Sequence, residues 1–146
     1  MSSSTCMSDT YSLLLVDNDP DDFLIFSQAI ERNGHPAACG HAVDGRAALE
    51  LLEGMERLPR FIFLDINMHG MNGLELLSVM ERNPRLRDIP VVMYSTSNSP
   101  RDIEDARSLG AWYYLMKPAT LPELQHALHY ILSDAEGPLP AHLVRF

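Results

Sequence analysis

Five times along this chain a short apolar run gives way to an amphipathic stretch, and this alternation restricts the fold more than any other feature of the sequence. Strands alternating with helical patterns build βα units, whose crossover helices return the chain to the same end of a parallel sheet. Leu13–Val16 opens the series, and Asp19-Pro20-Asp21-Asp22 follows it. An N-cap acid, a proline at the first helical position and acids that complement the helix dipole start the first helix near Pro20. Phe23, Phe26 and Ile30 recur at helical spacing, and Asn33-Gly34 marks the stop. The second strand, Ala37–Val43, has the weakest pattern, and Asp44-Gly45 turns it into an alanine- and leucine-rich helix from about Arg46 to Met55. Phe61–Leu64 is a continuous apolar run of the kind buried on both faces, and the loop Ile66–Asn72 separates it from a helix beginning near Gly73. Asn83-Pro84 ends that helix, Ile89–Tyr94 is the fourth strand, and the polar loop Ser95–Pro100 leads to a helix ending at Leu109-Gly110. Trp112–Met116 is the last strand, and Leu121, Leu124, Leu128, Ile131 and Leu132 form one apolar stripe on the last helix. The expected architecture is α/β, a doubly wound five-stranded parallel sheet with helices on both faces. Residues 1–10 read as a polar leader, 11–133 as the domain and 134–146 as a C-terminal tail in which Leu139–Phe146 is free to pack on the domain or on a second subunit, or to stay loose.

Three of these strands end in a charged group. Leu13–Val16 runs into Asp17, Phe61–Leu64 into Asp65, and Trp112–Met116 into Lys117, the one lysine of the chain. In a parallel sheet the carboxyl ends of the strands share one edge, so residues far apart in sequence converge there. Carboxylates beside a single ammonium suit Mg²⁺ and phosphoryl chemistry.

The chain has 146 residues, 46% of them hydrophobic, enough for one domain with a full core. Twenty acidic against eleven basic residues leave a formal charge of −9, which argues against nucleic-acid or acidic-membrane binding and for a protein partner. Trp112, Tyr113 and Tyr114 are too short a run to serve as a base-stacking platform. No stretch has the length of a transmembrane helix and the first ten residues lack the regions of a signal peptide, so the expected location is the cytoplasm. Cys6 and Cys39 have neither metal-ligand nor disulfide spacing and read as reduced structural residues.

Leu13-Leu14-Leu15-Val16-Asp17-Asn18-Asp19-Pro20, Phe63-Leu64-Asp65-Ile66-Asn67-Met68, Tyr94-Ser95-Thr96 and Lys117-Pro118, taken in order, resemble the receiver domain of response regulators over about Ser12–Leu132. Within the family, Ile89–Lys117 is similar to small stand-alone receivers of the phytochrome-associated type. The resemblance implies a flavodoxin-like (βα)₅ fold, no enzyme activity, and phosphorylation of Asp65 by a sensor histidine kinase, a phosphotransfer protein or a small phosphodonor. A carboxylate takes a phosphoryl group in line if the growing charge is neutralised by a divalent ion and an ammonium, here Lys117. By the same resemblance Mg²⁺ is held by Asp65, by Asp17 through water, by Asn18 and by the main-chain carbonyl of Asn67. Ser95 corresponds to the switch hydroxyl and Tyr114 to the aromatic that moves with it. Pro118 resembles the family's cis-peptide site. The partners implied are the kinase and a downstream protein, with a homodimer through residues 100–133 as a further possibility.

Asn18 departs from the family, which mostly carries a second acid there, and a neutral ligand implies weaker Mg²⁺ binding. Asp19 is the candidate to compensate, against its simpler role as N-cap. His69 stands where proline is common; it reads either as an exposed loop residue or as a proton carrier near the site. Each acid also has an ordinary reading as a cap or turn residue, and Tyr114 as core filling. Two rivals remain. One is a receiver-fold interaction module that binds partners without being phosphorylated. The other is a haloacid-dehalogenase-type phosphatase using Asp17 of Asp17-Asn18-Asp19, which leaves Asp65 without a role and finds only Glu123, Asp134 and Glu136 after Lys117.

Overall fold

The computed structural model describes residues 11–33, 37–68 and 70–146. Cys6, Gly34 and His69, singled out above, lie outside them. Five βα units follow one another: β1 (Tyr11–Val16), α1 (Pro20–Arg32), β2 (Ala37–Ala42), α2 (Gly45–Glu53), β3 (Phe61–Leu64), α3 (Gly73–Glu81), β4 (Val91–Ser95), α4 (Pro100–Ser108), β5 (Tyr113–Met116) and α5 (Leu121–Leu132). The sheet order is β2-β1-β3-β4-β5 with all four pairings parallel. This is the doubly wound arrangement expected from the alternation.

Period-two alternation in the strands sorts the core into two layers. Leu13, Leu15, Phe63, Val92, Tyr94 and Leu115 face α1 and α5, where Phe26, Ala29, Leu124 and Leu128 meet them. Leu14, Val16, Ile62, Leu64, Met93 and Tyr114 face the other way, toward Leu52 of α2, Leu76 and Leu77 of α3 and Ala106 of α4. Phe26 packs edge-on against Phe63 at 4.8 Å between ring centroids, which fixes how α1 lies on β3.

Helix starts follow local chemistry. Asp19 caps α1, accepting the Asp21 N–H at 2.9 Å ahead of Pro20. Asp44, Asn72, Ser99 and Thr120 cap the other four helices, and Asn72 with Glu75 forms a reciprocal capping box. β4 begins at Val91, two residues later than the apolar run suggests. Pro90 has no N–H to give to a neighbouring strand, and only its carbonyl is used, accepting from Ile62 at 3.0 Å.

The tail is structured. Leu143–Arg145 forms β6, antiparallel to β5, so the five parallel strands carry a sixth along the β5 edge. Met116 donates to the His142 carbonyl at 2.9 Å and Phe146 to the Trp112 carbonyl at 3.0 Å, while Leu143 enters the core layer of α1 and α5. Of the three fates left open for this segment, it packs on its own domain. Gly137-Pro138-Leu139-Pro140, which looks like the end of ordered chain, is the reversal that brings it back; Gly137 has φ +102°. No helix among the described residues is long and apolar enough to cross a membrane.

Candidate functional site

At the carboxyl edge of the sheet the first residues past β1, β3 and β5 meet. The Asp17 N–H donates to the Ala42 carbonyl at 3.0 Å and the Asp65 N–H to the Val16 carbonyl at 2.9 Å, so both carboxylates are placed by the continuing strand ladder. Asp17 is fully buried and Asp65 nearly so. Lys117 is anchored by its N–H on the Ser95 carbonyl at 2.8 Å. Its Nζ donates to Asp17 Oδ2 at 2.8 Å and to Asp65 Oδ2 at 3.2 Å, and lies 5.2 Å from the centre of the Tyr94 ring. No peptide bond among the described residues is cis. Contrary to the resemblance, the Lys117–Pro118 bond is trans, the intrinsically favoured isomer, and the ammonium reaches both aspartates with it.

The nearest partner of the ammonium is one that the sequence had explained differently. Asp22 Oδ2 lies 2.6 Å from Lys117 Nζ. Acids in a first helical turn are accounted for by the dipole alone. However, the Asp19-Pro20 start also fixes the helical phase, and side chains tilt toward the N-terminus, which returns the third helical residue to the loop of residues 17–19. Asp19 does not compensate for Asn18, because its carboxylate is spent on capping α1. Asn18 itself is exposed. His41 was also missed. Its Nε2 lies 2.7 Å from the Asp17 carbonyl and its ring stacks on Phe23 at 4.6 Å, bracing the main chain that carries Asp17.

Main-chain donors complete the site. Asp17 Oδ1 accepts the Asp19 N–H at 2.8 Å, and Asp65 Oδ1 the Asn67 N–H at 3.1 Å. Ser95 is fully buried and its Oγ accepts the Ser97 N–H at 3.2 Å. The Tyr114 hydroxyl donates to the Ser97 carbonyl at 2.9 Å. Ser95 and Tyr114 thus hold opposite ends of one residue, and Ser97 Oγ passes the connection to Asp102 of α4 at 2.7 Å.

Burial pushes the Asp17 carboxyl above the ordinary aspartate range, and the bonds from Lys117 and Asp19 only partly offset it. Burial also works to lower Lys117, but its bonds to Asp17 and Asp22 and the field of Asp65 outweigh that and raise it above the ordinary lysine range. Lys117 is charged at neutral pH. A cavity of about 190 Å³ lined by Asp22, Ile25, Tyr94, Lys117, Pro118 and Leu121 opens the ammonium to the outside.

The fit to a divalent cation rests on this donor set. All its groups are hard oxygen donors, and three carboxylates outnumber the one ammonium. Among the described residues no three acidic, His or Cys side chains form a ready metal cage. Asp17 and Asp65 together with neutral oxygens from residues 18 and 67 would hold the ion, an arrangement suited to Mg²⁺, which keeps several of its own waters.

A family model for the response regulator receiver domain matches residues 13–129. The probable methanogenesis regulatory protein FilR2 of Methanothrix harundinacea (strain 6Ac) is 35% identical over 127 residues, which cover 84% of this chain and 82% of that protein. Among solved structures, the phosphorylated cyanobacterial phytochrome response regulator RcpA has a TM-score of 0.78 at 28% identity, covering 88% of this chain and 99% of its own. The Mn²⁺-bound form of response regulator Rcp1 has a TM-score of 0.77 at 25% identity, with coverages of 88% and 99%. The family match begins inside β1 and ends inside α5, so it takes in all five βα units, and the chain belongs to the response regulator receiver family of two-component systems.

Proposed function

We propose that this receiver accepts a phosphoryl group on Asp65 from a sensor histidine kinase or phosphotransfer protein and passes the signal on by changed protein binding. The observation that carries this reading is the shared ammonium: Lys117 Nζ bonds Asp65 Oδ2 and two further carboxylates at the end of a buried strand. In the transfer, an Asp65 carboxylate oxygen attacks phosphorus as the phosphohistidine P–N bond breaks. Lys117 stands where charge grows on the phosphoryl oxygens, and needs no rearrangement to meet it. Mg²⁺, when bound, supplies the second cation for those oxygens. RcpA was solved phosphorylated and Rcp1 with Mn²⁺, which makes both expectations reasonable for this chain.

A phosphoryl oxygen that accepts the Ser95 O–H draws Oγ toward Asp65 and away from the Ser97 N–H that donates to it, and Ser97 holds Tyr114. That loop therefore links the site to α4 and β5. Residues 100–133 are the surface on which a downstream protein or a second copy would sense the change. Ile25 of α1, exposed at the 190 Å³ cavity, offers an apolar contact for the incoming donor in the cytoplasm.

One observation favours the rival binding module: Asn18 is neutral and no ready metal cage surrounds it among the described residues. The phosphatase rival loses support from the same geometry. Glu123, one of the few acids after Lys117 that could serve it, bonds Thr120 and His142 instead. Incubation with acetyl phosphate, read by intact-protein mass spectrometry with and without Mg²⁺, separates the three. One phosphate that requires Mg²⁺ and is lost in Asp65→Ala is expected. An adduct lost in Asp17→Ala but kept in Asp65→Ala would point to the phosphatase chemistry, and no adduct in wild type would leave the binding module.

A further inference from the structure

We infer that Asp22 supplies the negative charge that Asn18 withholds, so that the electrostatic role of the second acid has moved one helical turn along the chain. The inference rests on the receiver reading above and goes beyond it. Among the three acids opening α1, Asp19 is committed to the cap and Asp21 is exposed. Asp22 alone is seen on the ammonium, at 2.6 Å against 2.8 Å for Asp17 and 3.2 Å for Asp65, with its side chain only 25% exposed. Three carboxylates around one ammonium leave two negative charges in the cluster. Asp17, Asp65 and an acid at position 18 would leave the same two; Asn18 without Asp22 would leave one, and a hard divalent cation would meet half the attraction.

Asp22 is a positioning residue in this scheme. It acts by satisfying part of the Lys117 charge, which otherwise falls wholly on Asp17 and Asp65 and weakens them as anionic ligands. The cavity wall it forms with Lys117 keeps the pair partly hydrated, so the effect is Coulombic and depends on total charge more than on exact placement. A carboxylate restored at position 18 should therefore replace the one lost at 22.

The test is Mg²⁺ titration by isothermal calorimetry at fixed ionic strength on wild type, Asp22→Asn, Asn18→Asp and the double variant, with circular dichroism to check folding. Asp22→Asn is expected to weaken Mg²⁺ about tenfold, Asn18→Asp to tighten it about tenfold, and the double variant to return within about threefold of wild type. Asp22→Ser, which changes the packing but removes the same charge, is expected to match Asp22→Asn. Unchanged affinity in Asp22→Asn alongside tighter binding in Asn18→Asp overturns the inference and leaves the receiver reading intact. Weakened binding that Asn18→Asp cannot rescue, or that Asp22→Ser does not reproduce, also overturns it, because the residue then acts by its shape. Absence of Mg²⁺ binding in both wild type and Asn18→Asp would remove the inference and the Mg²⁺-dependent reading together.

Discussion

Lys117→Met is expected to cost about 3 kcal/mol of stability at pH 8 in metal-free buffer, and clearly less at pH 5. Removing one partner of a buried ion pair typically costs roughly 3–5 kcal/mol, because the other charge stays buried and unpaired. Here one ammonium serves three carboxylates, one of them fully buried, while Asp22 keeps some contact with water. The pH dependence follows from the direction of the shifts. Burial already holds the Asp17 carboxyl above its ordinary value, so the folded state binds a proton more readily than the unfolded one. Stability contributed through such a group falls as pH rises across the interval between its unfolded and folded values. Without Lys117 the interval widens upward, and the variant loses stability over pH 5 to 8 faster than wild type. The raised Lys117 works in the same sense but at higher pH: its contribution is whole below the ordinary lysine value and is lost only as pH climbs through the folded one. Urea unfolding of both proteins at the two pH values measures the gap. An equal gap at both would mean that the loss comes from the fit of the new side chain beside Tyr94 and not from the missing charge.

Gly73→Ala is expected to be the most damaging single-methyl substitution near the site, costing about 3 kcal/mol and displacing Asp65. A Cβ at position 73 would come within 2.2 Å of the Asp65 carbonyl oxygen, 2.8 Å of its carbonyl carbon and 3.0 Å of Ile66 Cα. All three are backbone atoms of the strand end and cannot turn aside as a side chain can. Overpacking of a well-filled interior usually costs about 1–3 kcal/mol, and a rigid neighbour puts this case at the upper end. Gly45→Ala is the control. Its Cβ would meet Met71 Sδ at 2.9 Å, but that thioether is flexible and can move. Alanine is also the better helix former, so the Gly45 variant should stay within about 1 kcal/mol of wild type. Chemical denaturation of the pair, with phosphorylation by acetyl phosphate as a second readout, gives the comparison; similar behaviour of the two variants would refute the close-approach argument.

How much of this was legible beforehand depended on how local the deciding interaction was. Phe61–Leu64 was readable residue for residue, since a strand covered on both faces has no polar interruption. The start of α1 at Pro20 was readable because capping is a matter of four or five consecutive residues, and that of α3 near Gly73 was also placed; Pro100, read as the end of a loop, is the first residue of α4. β4 was misplaced by two residues at Pro90, where hydrophobicity continues but the hydrogen-bonding ladder does not. Three-residue β6 has no periodicity to detect, and its register comes from Tyr113–Leu115, some thirty residues earlier. In the site, Asp17, Asp65 and Lys117 stood out because each ends a strand. Asp22 did not, because the helix dipole already gave an acid there a sufficient reason. Ser97 carried no motif, yet it joins Ser95 to Tyr114 through its main chain.

The position of Trp112 decides what light can report about this molecule. It is the one tryptophan of the chain, 53% exposed and one residue ahead of β5, and its carbonyl receives the Phe146 N–H while its own N–H is held by the Val91 carbonyl. Lys117 stands at the other end of that strand, roughly 16 Å away at about 3.3 Å per residue. Intrinsic emission is therefore expected to stay constant through a Mg²⁺ titration and to shift when β6 leaves the sheet. The indole is a built-in optical gauge of C-terminal docking, and a fluorescent readout of Asp65 has to be introduced at the opposite edge.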